Sequence, residues 1–359
     1  MNPAFHDAGN LAATDIYRVG NRIVFWDMLH NNGSRYDFVT NTWEAMNLTN
    51  APSFREKHST ASNGTDIYLW GGRYYDFNTS QYIYPAELYR YNTTANTWTN
   101  LGAPPGFQGR ADCTMASAGN TVLLWSGRRI FNVSGTLLCN TPMGFNYDSS
   151  VYFTDGRLYN ITNNTWTTVS PAGAPAARHN AAVVFDGSGI VITGGRMHRP
   201  GHPYCTFCPP ISFCLKYLVN DTLYKSGARY DPGTNTWTAI ADAPRPFADV
   251  DPLWDNDQYM TLFIGDDTTL TYEPSANDWF INLYPAVGAG YAGSRRNAFA
   301  VNNSDLVILS PAWSGSPVSV SCWSSRKTVY NLRPVSTTIR TVKSTQAMPG
   351  TRLYLYKKE

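Results

Sequence analysis

Three arginines stand at matching places in this chain. Arg55, Arg110 and Arg178 each lie sixteen residues ahead of a small residue, Gly71, Ser126 and Gly194. Arg295, with Arg296 beside it, is one residue out of that register before Ser310, and Arg245 is a looser version. A guanidinium is a planar fork of donors that grips a carboxylate or sulfate through two bonds at once. A broken ring of such groups would make a local anion-preferring site. His58 and His179 follow two of these arginines closely and are read as contacts of the same site or as packing residues.

A second cluster is His198-Arg-Pro-Gly-His202-Pro-Tyr-Cys205-Thr-Phe-Cys208-Pro-Pro-Ile-Ser-Phe-Cys214. Histidine and Cys-x-x-Cys are zinc ligand types. No second Cys-x-x-Cys completes a recognised spacing, however, and a proline-rich loop is also what a disulfide staples. The expectation is therefore disulfides and no metal, with Cys113, Cys139 and Cys322 as the remaining candidates. Catalytic patterns are thin: there is no Gly-x-Ser-x-Gly, no His-Glu-x-x-His and no phosphate-cradling glycine loop. Turn and cap roles account for the paired acids Asp249 with Asp251 and Asp255 with Asp257. No catalytic residue and no cofactor is assigned.

What must position these groups is periodic. Five times a tyrosine is followed seven residues later by a tryptophan, with an asparagine two places before it: Tyr36 and Trp43, Tyr91 and Trp98, Tyr159 and Trp166, Tyr230 and Trp237, Tyr272 and Trp279. Each copy reads as a hairpin whose turn is built from Asp, Pro, Gly and Asn. Upstream lies an apolar strand ending in small residues, as in Ile67-Tyr-Leu-Trp-Gly-Gly72, Val122-Leu-Leu-Trp-Ser-Gly127, Ile190-Val-Ile-Thr-Gly-Gly195 and Leu262-Phe-Ile-Gly265. Before that stands another alternating run, such as Ala181-Ala-Val-Val-Phe185. One unit is thus four strands, repeated.

A double glycine after the second strand, then a spaced Tyr and Trp around the third turn, resembles the kelch-repeat β-propellers over nearly the whole chain. The resemblance implies an all-β fold, a six-bladed kelch-type propeller with four antiparallel strands per blade in one domain, residues 1–359. The blades are expected at about 11–48, 54–99, 110–167, 178–238, 245–280 and 295–340, with 351–357 as a ring-closing strand paired in the first or last blade. The first unit departs from the pattern, with Trp26-Asp-Met28 where the glycines belong. The last, visible in 297–301, 306–309 and Thr328-Val-Tyr-Asn331, has Thr337 in place of its tryptophan. In this family an arginine placed like Arg110 bonds the neighbouring blade's backbone, while in acidic-peptide-binding members its equivalents reach the ligand. Both roles stay open at this point.

From the glycine to the repeat tyrosine takes 7 residues in the fifth unit but 19, 32 and 35 in the second, third and fourth. In an up-and-down blade these insertions all emerge on one face, and long ordered loops on a rigid scaffold are usually functional. Tyr74, Tyr75, His198, Tyr204, Phe207 and Trp313 are the expected contacts from the insertions, around Arg55, Arg110, Arg178 and Arg295. Cys113 is expected to bridge Cys139. Cys322 is expected to pair with one of Cys205, Cys208 and Cys214, the other two bridging locally.

Net charge is +2 and charged residues make up 15%, so neither a nucleic-acid partner nor membrane insertion is expected, and no run of 18 apolar residues occurs. Ten Asn-x-Ser/Thr sequons and the cysteine-bearing insertions point to an extracellular, periplasmic or cell-surface location, with any export signal absent from this sequence. The expected function is recognition of a glycan or protein ligand on the loop-crowned face. The alternatives are a carbohydrate-active enzyme like the sialic-acid mutarotases, which are also kelch propellers, and a structural tip of a larger surface protein.

Overall fold

The computed structural model describes residues 14–27, 32–37, 39–40, 42–138, 142–208, 211–250, 252–254, 259–264, 268–283, 297–300, 305–310, 322–323, 329–330 and 352–357. Among the described residues every regular element is a strand. Five antiparallel sheets have four strands each in chain order, the order of a β-propeller blade. They are 14–45, 56–100, 114–168, 182–240 and 252–283, numbered here sheets 1 to 5. Sheet 6 joins Asn297–Ala300, Asp305–Ser310 and Arg352–Lys357.

The repeat pairs explain the sheets. Each tyrosine sits directly opposite its tryptophan, Tyr91 across from Trp98 and Tyr230 across from Trp237, with ring centroids 4.8 to 5.0 Å apart in the pairs of sheets 2 to 5. The intervening asparagine takes a left-handed turn conformation, φ +57° at Asn96 and Asn235, which asparagine tolerates better than most residues. Its Oδ1 accepts from the tyrosine hydroxyl, 2.7 Å in sheet 2 and 2.9 Å in sheet 4.

That same oxygen also accepts from the backbone of the preceding sheet, Asn47 N at 2.8 Å onto Asn96 and Ser170 N at 2.9 Å onto Asn235. One side chain thereby closes its own hairpin and ties two sheets together. Trp98, Trp237 and Trp279 are buried, as packing residues between sheets should be.

Second strands are buried on both faces, because side chains alternate and both faces meet a neighbour. Ile67 and Leu69 pack toward sheet 1 with Val24 and Trp26, whereas Tyr68 and Trp70 pack toward sheet 3 with Met115 and Leu124. The same layering continues between sheets 3 and 4 and between sheets 4 and 5. At the end of the strand Gly71 lies at φ +70°, and a Cβ there would come within 2.4 Å of the Arg110 carbonyl oxygen. The paired glycines exist because the next sheet's backbone crosses there, with Gly72 N donating to Arg110 O at 2.9 Å.

Two expectations are corrected. The third strand of sheet 6 is Arg352–Lys357, which pairs six residues along Asp305–Ser310. Of the expected Thr328–Asn331, the described residues Val329 and Tyr330 lie in a separate ladder with Cys322 and Trp323. The physical reason is pattern: Arg352-Leu-Tyr-Leu-Tyr-Lys357 alternates without a break, whereas Pro334 soon after Asn331 cannot donate to a ladder. Second, the insertions are themselves strands and not irregular loops. In sheet 3 Arg128–Leu138 pairs with Pro142–Tyr152, and in sheet 4 Arg196–Cys208 pairs with Ile211–Leu223. Sheet 2 carries a short version, Tyr74–Asp76 with Gln81–Ile83.

Candidate functional site

The sixteen-residue spacing of the arginines turns out to be a bond. Arg55 Nη1 donates to Gly71 O at 3.3 Å, Arg110 Nη1 to Ser126 O at 3.3 Å and Arg178 Nη1 to Gly194 O at 2.8 Å. Each Nε reaches back two residues, to the carbonyls of Ser53, Gln108 and Ala176. All three side chains are 1 to 3% exposed. Arg110 also pairs with Asp155 at 2.6 Å and lies between the rings of Phe107 and Phe153, 4.1 and 3.9 Å away. Arg178 gives a further bond to Ser226 O at 2.7 Å and stacks on Tyr224. Burial brings its pKa down to about 10.

These guanidiniums act here as staples of the strand ends, the first of the two roles left open for Arg55, Arg110 and Arg178. Backbone carbonyls left over where a strand stops need donors, and the fork supplies several from one buried side chain.

A further set of positions begins two places beyond those three arginines, at Lys57, Asp112 and Asn180. Lys57, Asp112, Asn180 and Asp249 occupy equivalent left-handed positions, φ 52° to 58°, at the start of the innermost strands. Asp112 N donates to Lys57 O at 2.9 Å and Asp249 N to Asn180 O at 3.1 Å, chaining one sheet to the next. A second arginine set meets them: Arg73, Arg128 and Arg196, each one residue past the glycine pair. They bond Glu56 at 2.6 Å, Asp112 at 2.7 Å and Asp249 at 2.7 Å. The repeated Gly-Gly-Arg73, Ser-Gly-Arg128 and Gly-Gly-Arg196 carry that signal in the sequence. Each of these guanidiniums already holds a carboxylate, so the three pairs are balanced in charge.

His179 is 2% exposed, and its ring stacks on Tyr152 at 5.7 Å. Burial, with Arg128 adding to it, pulls its pKa down to about 4. It packs here, one of the two roles the sequence left open for it. His58 is half-buried with its ring 6.1 Å from Trp26.

On the hairpins the expected contacts separate. Tyr75 is 41% and Tyr204 40% exposed, whereas Tyr74 is half-buried. His198 pairs across its hairpin with Asp221. The Phe207 side chain, Arg295 and Trp313 lie outside the described residues. Sequence reasoning missed Phe77, 86% exposed at the tip of the sheet 2 hairpin, and Phe131, 43% exposed on that of sheet 3. Tyr75 meets both Phe77 and Tyr82 edge-on at 5.1 and 5.3 Å, and Tyr82 in turn carries Arg73 over its ring at 3.9 Å. A line of rings thus runs from Arg73 to the hairpin tip.

Successive hairpins are joined by tyrosine hydroxyls. Tyr84 OH bonds Ile130 of sheet 3, and Tyr152 OH accepts from His198 N of sheet 4 at 2.8 Å. These bonds hold the crown as connected strands on the propeller.

Cys113 corrects the expected bridge to Cys139. It is a free thiol in the core between sheets 2 and 3, its Sγ 3.3 Å from the Trp125 carbonyl oxygen, and burial pushes its pKa up to about 12. It packs as a small apolar residue. Cys139 and the side chains of Cys205, Cys208, Cys214 and Cys322 lie outside the described residues. Among the described residues no group of three His, Cys, Asp or Glu is placed to hold a metal, and no helix is long and apolar enough to cross a membrane.

Comparison with known proteins agrees with this geometry. The family model described as the KLHDC2/KLHL20/DRC7 Kelch-repeats domain matches residues 20–246. The chain is similar to human Kelch domain-containing protein 3, 26% identical over 182 residues, which are 48% of this chain and 43% of that protein. The protein of the same description from Bos taurus is 27% identical over 203 residues, 54% of this chain and 48% of the relative. The match spans about half the length of these curated relatives.

Proposed function

The chain belongs to the kelch-repeat family, and from that premise we propose that it is a recognition propeller whose hairpin-crowned face holds a segment of another protein. The observation that carries this reading is the set of exposed rings, Tyr75, Phe77, Phe131 and Tyr204, on hairpins joined to the scaffold and to one another. Exposed aromatics held in place make strong contacts, since little side-chain freedom is lost on binding. With Arg73, Arg128 and Arg196 already paired to carboxylates, apolar rings and backbone groups carry the recognition and these ion pairs orient it. The face of a tyrosine also suits a sugar, so a glycan is the second ligand class for the same rings. We further propose a location outside the cytoplasm, supported by the ten sequons.

The test is affinity capture with the wild-type chain and a Phe77→Ala/Phe131→Ala double variant, followed by a glycan array on both. The reading expects proteins held by the wild type and lost from the variant at unchanged melting temperature. Identical protein capture by both would overturn it, and binding confined to the glycan array would replace it by the second class.

A further inference from the structure

The hairpin of sheet 3 has an outer edge whose hydrogen-bonding groups are taken up only at its base. Arg128 exchanges two backbone bonds with Ala111, at 2.8 and 2.9 Å. Two residues on, Ile130 commits both its N–H and its C=O to one atom, the Tyr84 hydroxyl, at 2.7 and 2.6 Å. That oxygen accepts and donates as a residue of a neighbouring strand would. Backbone direction alternates along an antiparallel strand. Asn132, Ser134 and Thr136 therefore turn their N–H and C=O to the same outer edge, and the residues between them face Pro142–Tyr152.

Beyond Ile130 nothing continues this edge among the described residues, for Arg128–Leu138 pairs with Pro142–Tyr152 alone. The cause is a step in height. The sheet 2 hairpin stops after three residue pairs, while that of sheet 3 runs for eleven with no register shift. The opposite edge differs, because it lies against the sheet 4 hairpin, where Tyr152 OH meets His198 N.

Sheets normally blunt a bare edge with charge, proline or a bulge. Phe131-Asn-Val-Ser-Gly-Thr-Leu-Leu138 has none of these, and Asn132, Ser134, Gly135 and Thr136 are exposed.

We propose that this edge pairs with the same edge of a second copy of the chain, antiparallel about a two-fold axis at Ser134. A two-fold makes the edge its own complement, with Asn132 opposite Thr136 of the other copy. An uncharged strand brings no like charges together when two identical edges meet, and Ser134 with Gly135 leaves the centre uncrowded. The edge belongs to the hairpin that also carries Phe131, but the inference uses its backbone groups and does not rest on the proposed ligand reading.

Sedimentation velocity over about 1 to 200 µM protein, without a glycan on Asn132, reads the assembly directly. The wild type is expected to pass from monomer to dimer. Ser134→Pro removes an outward N–H and none that bonds Pro142–Tyr152, and Thr136→Lys sets charges into the pairing. Each should weaken dimerisation at least about tenfold at unchanged melting temperature. Should the proline variant melt early, the lysine variant decides. A wild type that stays monomeric throughout, or a dimer that survives Thr136→Lys, overturns the proposal.

Discussion

Arg178 gives hydrogen bonds to three backbone carbonyls, at 2.8, 2.8 and 2.7 Å, from a site 1% exposed. Removing it strips the donor from the buried Gly194 O and leaves Ser226 O with Gly194 N alone, at 3.2 Å, so Arg178→Ala should cost about 2 kcal/mol. Thermal melting checks this, and ligand capture normalised to folded protein should be unchanged. His179 predicts a pH dependence. Unfolded, it takes up a proton near pH 6.5, but folded it resists until about pH 4, because its ring is buried and Arg128 lies close. The folded state is therefore penalised as pH falls below about 6.5, by about 2 kcal/mol near pH 5. His179→Phe keeps a ring against Tyr152 and should flatten that fall. Urea midpoints near pH 7.5 and pH 5 measure it, and an equal loss in both proteins would assign the titration elsewhere.

At the scale of elements, hairpins and sheets are joined by single polar side chains. Asn235 closes its own turn through Tyr230 and holds the preceding sheet through Ser170 N and Thr168 O. Asn235→Ala should then cost about 2 kcal/mol, since the left-handed turn and two inter-sheet bonds go together. Tyr84→Phe acts differently. It loses both bonds to Ile130 yet touches no sheet core, so the expectation is faster hydrogen exchange at Ile130 with a melting temperature shifted little. A collapse of global stability in Tyr84→Phe would show that the hairpins are part of the cooperative core.

For the molecule as a whole, sheets 1 to 5 share apolar layers with their neighbours, and a sheet removed from the array would expose both faces. Sheet 6 depends on a strand from far along the chain, Arg352–Lys357 on Asp305–Ser310. Truncation after residue 350 should leave that sheet without its third strand and broaden or lower the unfolding transition. Calorimetry on the shortened chain checks it. A transition identical to the parent's would make this strand dispensable.

The repeat was legible in the residues themselves because hairpin geometry is local. Seven residues between Tyr91 and Trp98 are enough to set them opposite one another, and the glycine pairs mark where a chain must cross. Even the staple arginines were visible as a spacing, although their meaning was not. Whether Arg110 faces a ligand or a carbonyl depends on which backbone lies above it, and that backbone belongs to strand ends brought together only by folding. The same holds for Cys113, whose neighbours Trp70 and Leu124 come from two different sheets. Tertiary structure alone decided that the insertions rise as joined hairpins with Phe77 and Phe131 outward, because exposure is a property of packing and a phenylalanine carries no mark of it in sequence.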